Sequence, residues 1–215
     1  MSKTETEYLQ NLRKHASDTR VFLGNKAKPE RERSVCRAFL RAIGVAFEER
    51  ELIAPTTEPA DVSFRTARFQ IREILEQDRK RGDDWKEKEK KYTQATSLDA
   101  LLEPYSPPTS ANLEMLVPEI VKALSEKAQK YGAGCKGIDA LVYVNLQDQF
   151  LAPDSDLPKM DQLKSQGWRS VSFLFPPYGV ILFATSIAPS FLTGVGPGQY
   201  MKWQDIDSLF EAHSS

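Results

Sequence analysis

The chain has 215 residues, 40% apolar and 27% charged, which excludes collagen-like, low-complexity and wholly disordered classes. Its 29 basic and 30 acidic residues leave a formal net charge of −1, so a whole-molecule polycation is excluded, though a local basic patch is not. Two cysteines, Cys36 and Cys135, cannot build a disulfide framework or a cysteine zinc site, and the two histidines, His15 and His213, lie near the termini. Catalysis would therefore fall to carboxylates, amides, Lys/Arg, hydroxyls or a metal on oxygen ligands. The polar start of the chain and the lack of any 18-residue apolar run predict a soluble cytoplasmic protein with no membrane span.

In chain order, residues 4–23 predict an amphipathic helix ended near Gly24-Asn25. Residues 29–43 predict a second helix, with Pro29 in its first turn and Val35, Cys36, Phe39, Leu40 and Ile43 as its buried stripe. Val45 to Ile53 then reads as a strand. Asp61–Phe64 and Arg68–Leu75 read as the two strands of a hairpin turning at residues 65–67. From Glu76 to Lys91 seven cations and six anions alternate around Trp85, which predicts a solvated helix face. A short helix near 97–102 and a proline-bearing loop follow.

Residues 110–131 predict a long amphipathic helix, interrupted by Pro118 and stopped by Gly132-Ala133-Gly134. Ile138 to Leu146 is almost wholly apolar, as expected of a strand buried on both faces. Two further strands are expected over 168–175 and 179–184, and a terminal helix near 203–210. The expected organisation is an N-terminal helix (1–25), a main α/β domain (26–190) with a mixed central sheet flanked by helices, and a C-terminal tail (191–215).

Four positions carry candidate chemistry: Glu32, Asp61, Gln70 and Arg72. Glu32 lies four residues before Cys36, on the apolar stripe, so it needs a cation, a metal or a hydrogen-bond cluster. Strand alternation puts Gln70 and Arg72 on one face, and the hairpin brings Asp61 opposite them. An acid facing an oxygen and a cation at i and i+2 can hold a divalent metal and stabilise charge on a phosphate. The plain alternative is a polar sheet face with an Asp–Arg pair. Lys26, Lys28, Arg31, Arg33, Arg37 and Arg41 stand against only Glu30 and Glu32, and Arg79-Lys80-Arg81 follows the hairpin. Such clusters suit phosphate backbones or ordinary solvated surface. Trp168 and Arg169 could stack on a base, although Trp168 also suits a core anchor at a strand start. Gly194 to Gly198 lacks the Lys-Ser/Thr sequel of a phosphate loop and is set aside.

The order Glu32, Pro59-Ala60-Asp61, Phe69-Gln70-Ile71-Arg72-Glu73 resembles the spacing of PD-(D/E)xK nucleases. More specifically, four segments resemble a bacterial family named domain of unknown function 1780, whose members are described as endonucleases with a restriction-endonuclease-like core. These are Glu30 to Cys36, Pro59 to Phe64, Ala67 to Leu75 and Gly167-Trp168-Arg169-Ser170. The resemblance covers about residues 8–190. It implies a metal-dependent endonuclease using Mg2+, with Glu32 as the helix acid, Asp61 as first metal ligand, and Gln70 and Arg72 at the motif's acid and lysine positions. Arg31, Arg33, Arg79, Lys80 and Arg81 would meet nucleic acid. Gln70 removes a negative charge from the expected ligand set, and Arg72 stays protonated and cannot act as a base. Glu73 could replace the missing carboxylate only through a bulge. The alternative is a catalytically inactive nuclease-fold module for interaction or nucleic-acid binding.

Overall fold

A computed structural model describes residues 3–77, 79–152 and 157–203. The chain divides into two compact units: residues 1–31 with 75–107, and residues 32–74 with 108–215.

In the first unit, α1 (Lys3–Leu23) packs along α3 (Arg81–Gln94). His15 meets the Trp85 ring edge to face at 5.4 Å, and Arg20 pairs with Glu89 at 3.1 Å. Arg13 donates to the carbonyls of Tyr92 (2.9 Å) and Ala95 (3.0 Å), so a cation sits on the negative end of α3. The charge-dense segment is thus largely helical, as its i,i+4 pairing predicts.

The second unit is a layered α/β structure. Its elements, in chain order, are α2 (Lys28–Ala42), which begins in the first unit, then β1 (Val62–Phe64), β2 (Ala67–Ile74), β3 (Thr109–Ala111), α4 (Leu113–Tyr131), β4 (Asp139–Val144), β5 (Gln149–Leu151), α5 (Asp161–Ser165), β6 (Ser170–Phe175), β7 (Tyr178–Ala184), α6 (Ser190–Thr193) and β8 (Tyr200–Lys202). Six strands form a mixed sheet in the order β1-β2-β4-β6-β7-β8. The β2–β4 and β4–β6 pairs are parallel; the β1–β2, β6–β7 and β7–β8 pairs are antiparallel. The parallel step from β2 to β4 contains α4, as a crossover requires. β3 and β5 make a separate two-stranded parallel sheet.

Burial on both faces explains the apolar run of β4. Ala140, Val142 and Val144 pack with Leu116, Ile120 and Leu124 of α4. Leu141 packs with Cys36, Phe39 and Leu40 of α2 on the other face. β2 follows the same alternation, sending Phe69 and Ile71 to the α2 side and Ile74 to the α4 side.

The strand expected over 45–53 does not form. Gly44 (φ +71°) ends α2 with Gly44 N–H donating to Arg41 O and Val45 N–H to Leu40 O, a six-to-one closure that turns the chain away. The acidic run then satisfies its own backbone. Glu48 N–H donates to the Glu51 carboxylate at 2.8 Å over a short 3-10 turn (Glu49–Glu51). Arg65 holds Glu51 at 2.9 Å and Arg37 grips both oxygens of Glu49 at 2.7 and 2.8 Å. Only Ile53 pairs, bridging to Ser63. The helix expected from residue 110 starts only at Leu113, because the Asn112 side chain caps it by accepting from Met115 N–H, and residues 110–111 belong to β3 instead; β5, β8, α5 and α6 lie in segments read as loop or tail. The helix expected near 203–210 falls outside the described residues beyond residue 203.

Gly179 of β7 marks where α2 sits closest to the sheet. A Cβ there would lie 2.9 Å from Ile43 Cγ2 and 3.1 Å from Ala42 Cβ. Gly179→Ala is expected to destabilise the protein by about 1–3 kcal/mol through overpacking, read as a lower midpoint in urea unfolding.

Candidate functional site

Asp61 stands one residue before β1 and prolongs the hairpin ladder, its N–H donating to Phe69 O at 2.8 Å. The register Val62↔Phe69 sets Asp61 opposite Gln70. Asp61 Oδ2 accepts from Ile71 N–H at 2.8 Å and from the Gln70 amide nitrogen in a short contact. Gln70 is 3% exposed. Its carbonyl Oε1 accepts from the Tyr131 hydroxyl of α4 at 2.6 Å, and Lys127 donates to that hydroxyl at 3.2 Å. The direction of the amide follows from charge: an ionised carboxylate only accepts, so the NH2 end faces Asp61. The result is a chain of donors running Lys127 to Tyr131 to Gln70 to Asp61, each bond polarising the next. Lys127 and Lys130 also lie over the Tyr131 ring, 5.4 and 5.5 Å from its centre.

The other sequence candidates go elsewhere. Arg72 shares the Gln70 face, as alternation requires, but its guanidinium binds Glu126 at 3.1 Å and Ala123 O at 3.4 Å on α4. β2 runs in unbroken register with β4 from Phe69 to Ile74, with no bulge, so Glu73 stays on the opposite face and accepts from Asn145 at 2.9 Å. Glu32 is half-buried on α2, the helix layered on the Phe69–Ile71 side of the sheet, away from the Gln70 amide. The structure therefore joins Asp61 with Gln70 and with neither Arg72 nor Glu73. Among the described residues no group of three or more His, Cys, Asp or Glu is placed to hold a metal.

The cations proposed for nucleic acid divide. Arg31 donates to the carbonyls of Phe22 (2.8 Å) and Gly24 (2.7 Å) at the end of α1. Arg79 is clasped by Glu76 at 2.7 Å and Asp84 at 2.6 Å. Both are local ties. Lys80 is exposed, and Arg81 and Arg33 are half-buried. Cys36 is fully buried, and burial pushes its thiol well above the ordinary range, so it has no thiolate character.

Sequence reasoning missed one cluster. Asp139 opens β4 and is fully buried. Its Oδ1 accepts from Arg169 Nε at 3.0 Å and Ser170 Oγ at 2.8 Å. Its Oδ2 accepts from Arg68 N–H at 3.0 Å and, in a short contact, from Arg169 Nη2. Arg169 Nη2 also reaches Thr66 O at 2.9 Å. The signal was available: an aspartate heading an apolar run requires a cation, and Arg169-Ser170 heads the next strand.

A family model described as "Putative endonuclease, protein of unknown function (DUF1780)" matches residues 4–204. The chain belongs to this family. A solved structure from Pseudomonas aeruginosa, described as a protein of unknown function of the monooxygenase superfamily, resembles this DUF1780 chain with a TM-score of 0.64 and 27% identity, covering 94% of this chain and 96% of its own. Comparison with curated proteins gives no match. In this DUF1780 member the two segments Ala67 to Leu75 and Gly167 to Ser170 thus supply different things: the first carries Gln70, the second the Asp139 partner Arg169.

Asp139→Ala leaves the largely buried Arg169 guanidinium without its counter-ion, with only the Thr66 carbonyl to meet it, and is expected to cost about 3–5 kcal/mol, seen as a large fall in the urea midpoint. Tyr131→Phe removes one hydrogen bond to Gln70 and is expected to cost only about 1–2 kcal/mol in the same measurement.

Proposed function

We propose that this protein is a nucleic-acid-binding module on a restriction-endonuclease-like α/β fold, in which the D…QxR positions form a hydrogen-bonded lock in place of a divalent-metal centre. The observation that carries this is the Gln70 amide nitrogen on Asp61. Mg2+ requires oxygen ligands and favours carboxylates. Here Asp61 Oδ2 already takes two N–H donors, Gln70 turns nitrogen toward it, and the Gln70 oxygen is engaged by Tyr131. Arg72 and Glu73 are held by other partners. The residues as arranged do not fit the ion. Nucleic acid as partner rests on the family description and on the lysines and arginines of both units.

A second reading, metal-dependent phosphodiester hydrolysis, is favoured by one fact: Asp61 and the motif-position residue Gln70 do meet. It would require the Gln70 amide to turn over and release Tyr131.

One experiment separates the two. DNA and RNA are incubated with the full chain and Mg2+ or Mn2+, and thermal stability is followed with and without Mn2+. The expected outcome is salt-sensitive binding, no metal-dependent products, and no Mn2+-induced rise in Tm. Gln70→Glu is expected to lower Tm without metal, because two carboxylates then face each other in a buried place, and to recover when Mn2+ is added. Mn2+-dependent cleavage by the wild type that is lost in Asp61→Ala would overturn the proposal.

A further inference from the structure

At the start of β6 the second unit holds a cavity of about 640 Å3, within the range of small-molecule sites. Its cations are Lys136, Lys164 and Arg169, and no acidic residue lines it among the described residues. Arg169 spends Nε and Nη2 on Asp139 and Thr66, and Nη1 has no partner among the described residues. Lys136 and Lys164 are exposed, and neither ammonium has a partner among the described residues. Asp139 is already saturated by four donors, so it does not offset the lysines fully. On a chain of net charge −1, this is a local positive concavity.

The rest of the wall is mixed: Thr185 and Ser186 bring hydroxyls, and Phe183, Pro197 and Ile187 bring apolar surface, the last 68% exposed. Cations beside an uncovered apolar wall suit an anion with a flat, apolar body. Lys136 and Gly167 also line an adjoining cavity of about 420 Å3, whose Ser125, Gln129 and Ser165 offer neutral hydrogen-bonding groups. Trp168 also lines the cavity, and its ring packs edge to face on Tyr131, the residue that holds Gln70.

We propose that the larger cavity binds a nucleoside 5′-phosphate, either free or as the phosphorylated end of a strand. The phosphate is taken by Lys136, Lys164 and Arg169 Nη1, and the base lies against Ile187 and Pro197. The anionic head follows from the cavity itself; the choice of a nucleoside as its body rests on the nucleic-acid function proposed above.

The test is titration calorimetry on the full chain with deoxyadenosine 5′-monophosphate, deoxyadenosine, and a single-stranded DNA trimer with and without a 5′-phosphate. The monophosphate is expected to bind at least about tenfold more tightly than the nucleoside, about 1.4 kcal/mol. Lys136→Gln combined with Lys164→Gln should erase that preference while leaving Tm unchanged, since both lysines are exposed. Equal binding of monophosphate and nucleoside, or an unaffected double variant, overturns the assignment. If the trimer binds wild type and double variant alike, the cavity assignment fails and nucleic-acid binding stands. If the mononucleotide binds and neither trimer does, the cavity stands with a free nucleotide as its ligand and the nucleic-acid function fails.

Discussion

Asp139 is the point at which three strands are tied. A fully buried carboxylate is tolerable only if its lone pairs are filled by donors and its charge is met. Both conditions are satisfied by neighbours in the sheet: Arg169 and Ser170 from the β6 side, and the Arg68 N–H of β2. The same guanidinium reaches Thr66 in the β1–β2 turn. One charge pair therefore fixes the hairpin against the central strands at the end where β4 starts. The placement of Asp61 beside Gln70 is set by that hairpin's register, so the candidate site depends on a residue that does not belong to it.

At the site itself, an amide opposite Asp61 does what a second carboxylate would not. Two facing carboxylates repel and call for a cation between them. A carboxylate facing an amide attracts, and the pair needs nothing further. Tyr131 and Lys127 complete the chain, so that Gln70 uses both ends of its side chain at 3% exposure. A buried polar network with its members paired is a rigid element. Arg72 likewise serves the packing: its guanidinium binds Glu126 and the Ala123 carbonyl, helping to fasten β2 to α4.

The four long helices, the hairpin and the strands β4, β6 and β7 were legible because each carries its own period or a doubly buried apolar run. The 45–53 segment was not, because its outcome depended on partners distant in sequence: Arg65 for Glu51, and Arg37 for Glu49 from the preceding helix. Short strands such as β3 and β5 are too brief to show a period. Within the site, alternation and the hairpin placed Gln70 and Arg72 on one face with Asp61 opposite both, of which the structure brings only Gln70 to it. Alternation could not say that the facing helix would offer Tyr131 to one and Glu126 to the other, since that depends on how α4 lies across the sheet. Nor could it give the direction of the Gln70 amide, which is decided by Tyr131, 61 residues away. Arg31 and Arg79 illustrate the limit for charge clusters. Composition marks them as cations near others, but nearby carbonyls and carboxylates had already claimed both.

Tyr131 has two sides, and they face different things. Its hydroxyl holds the Gln70 carbonyl, and its ring takes the edge of Trp168, whose indole N–H is fixed in turn by Gln166 at 3.0 Å. Gln166 is itself tied to α4 through Val121 O at 2.9 Å and Ser125 at 3.2 Å. The motif-position amide and the wall of the basic cavity are thus linked by two aromatic side chains braced on one helix. The packing of Trp168 and the Tyr131–Gln70 hydrogen bond therefore share α4 as their common support, one through Gln166 and the other through Tyr131 itself.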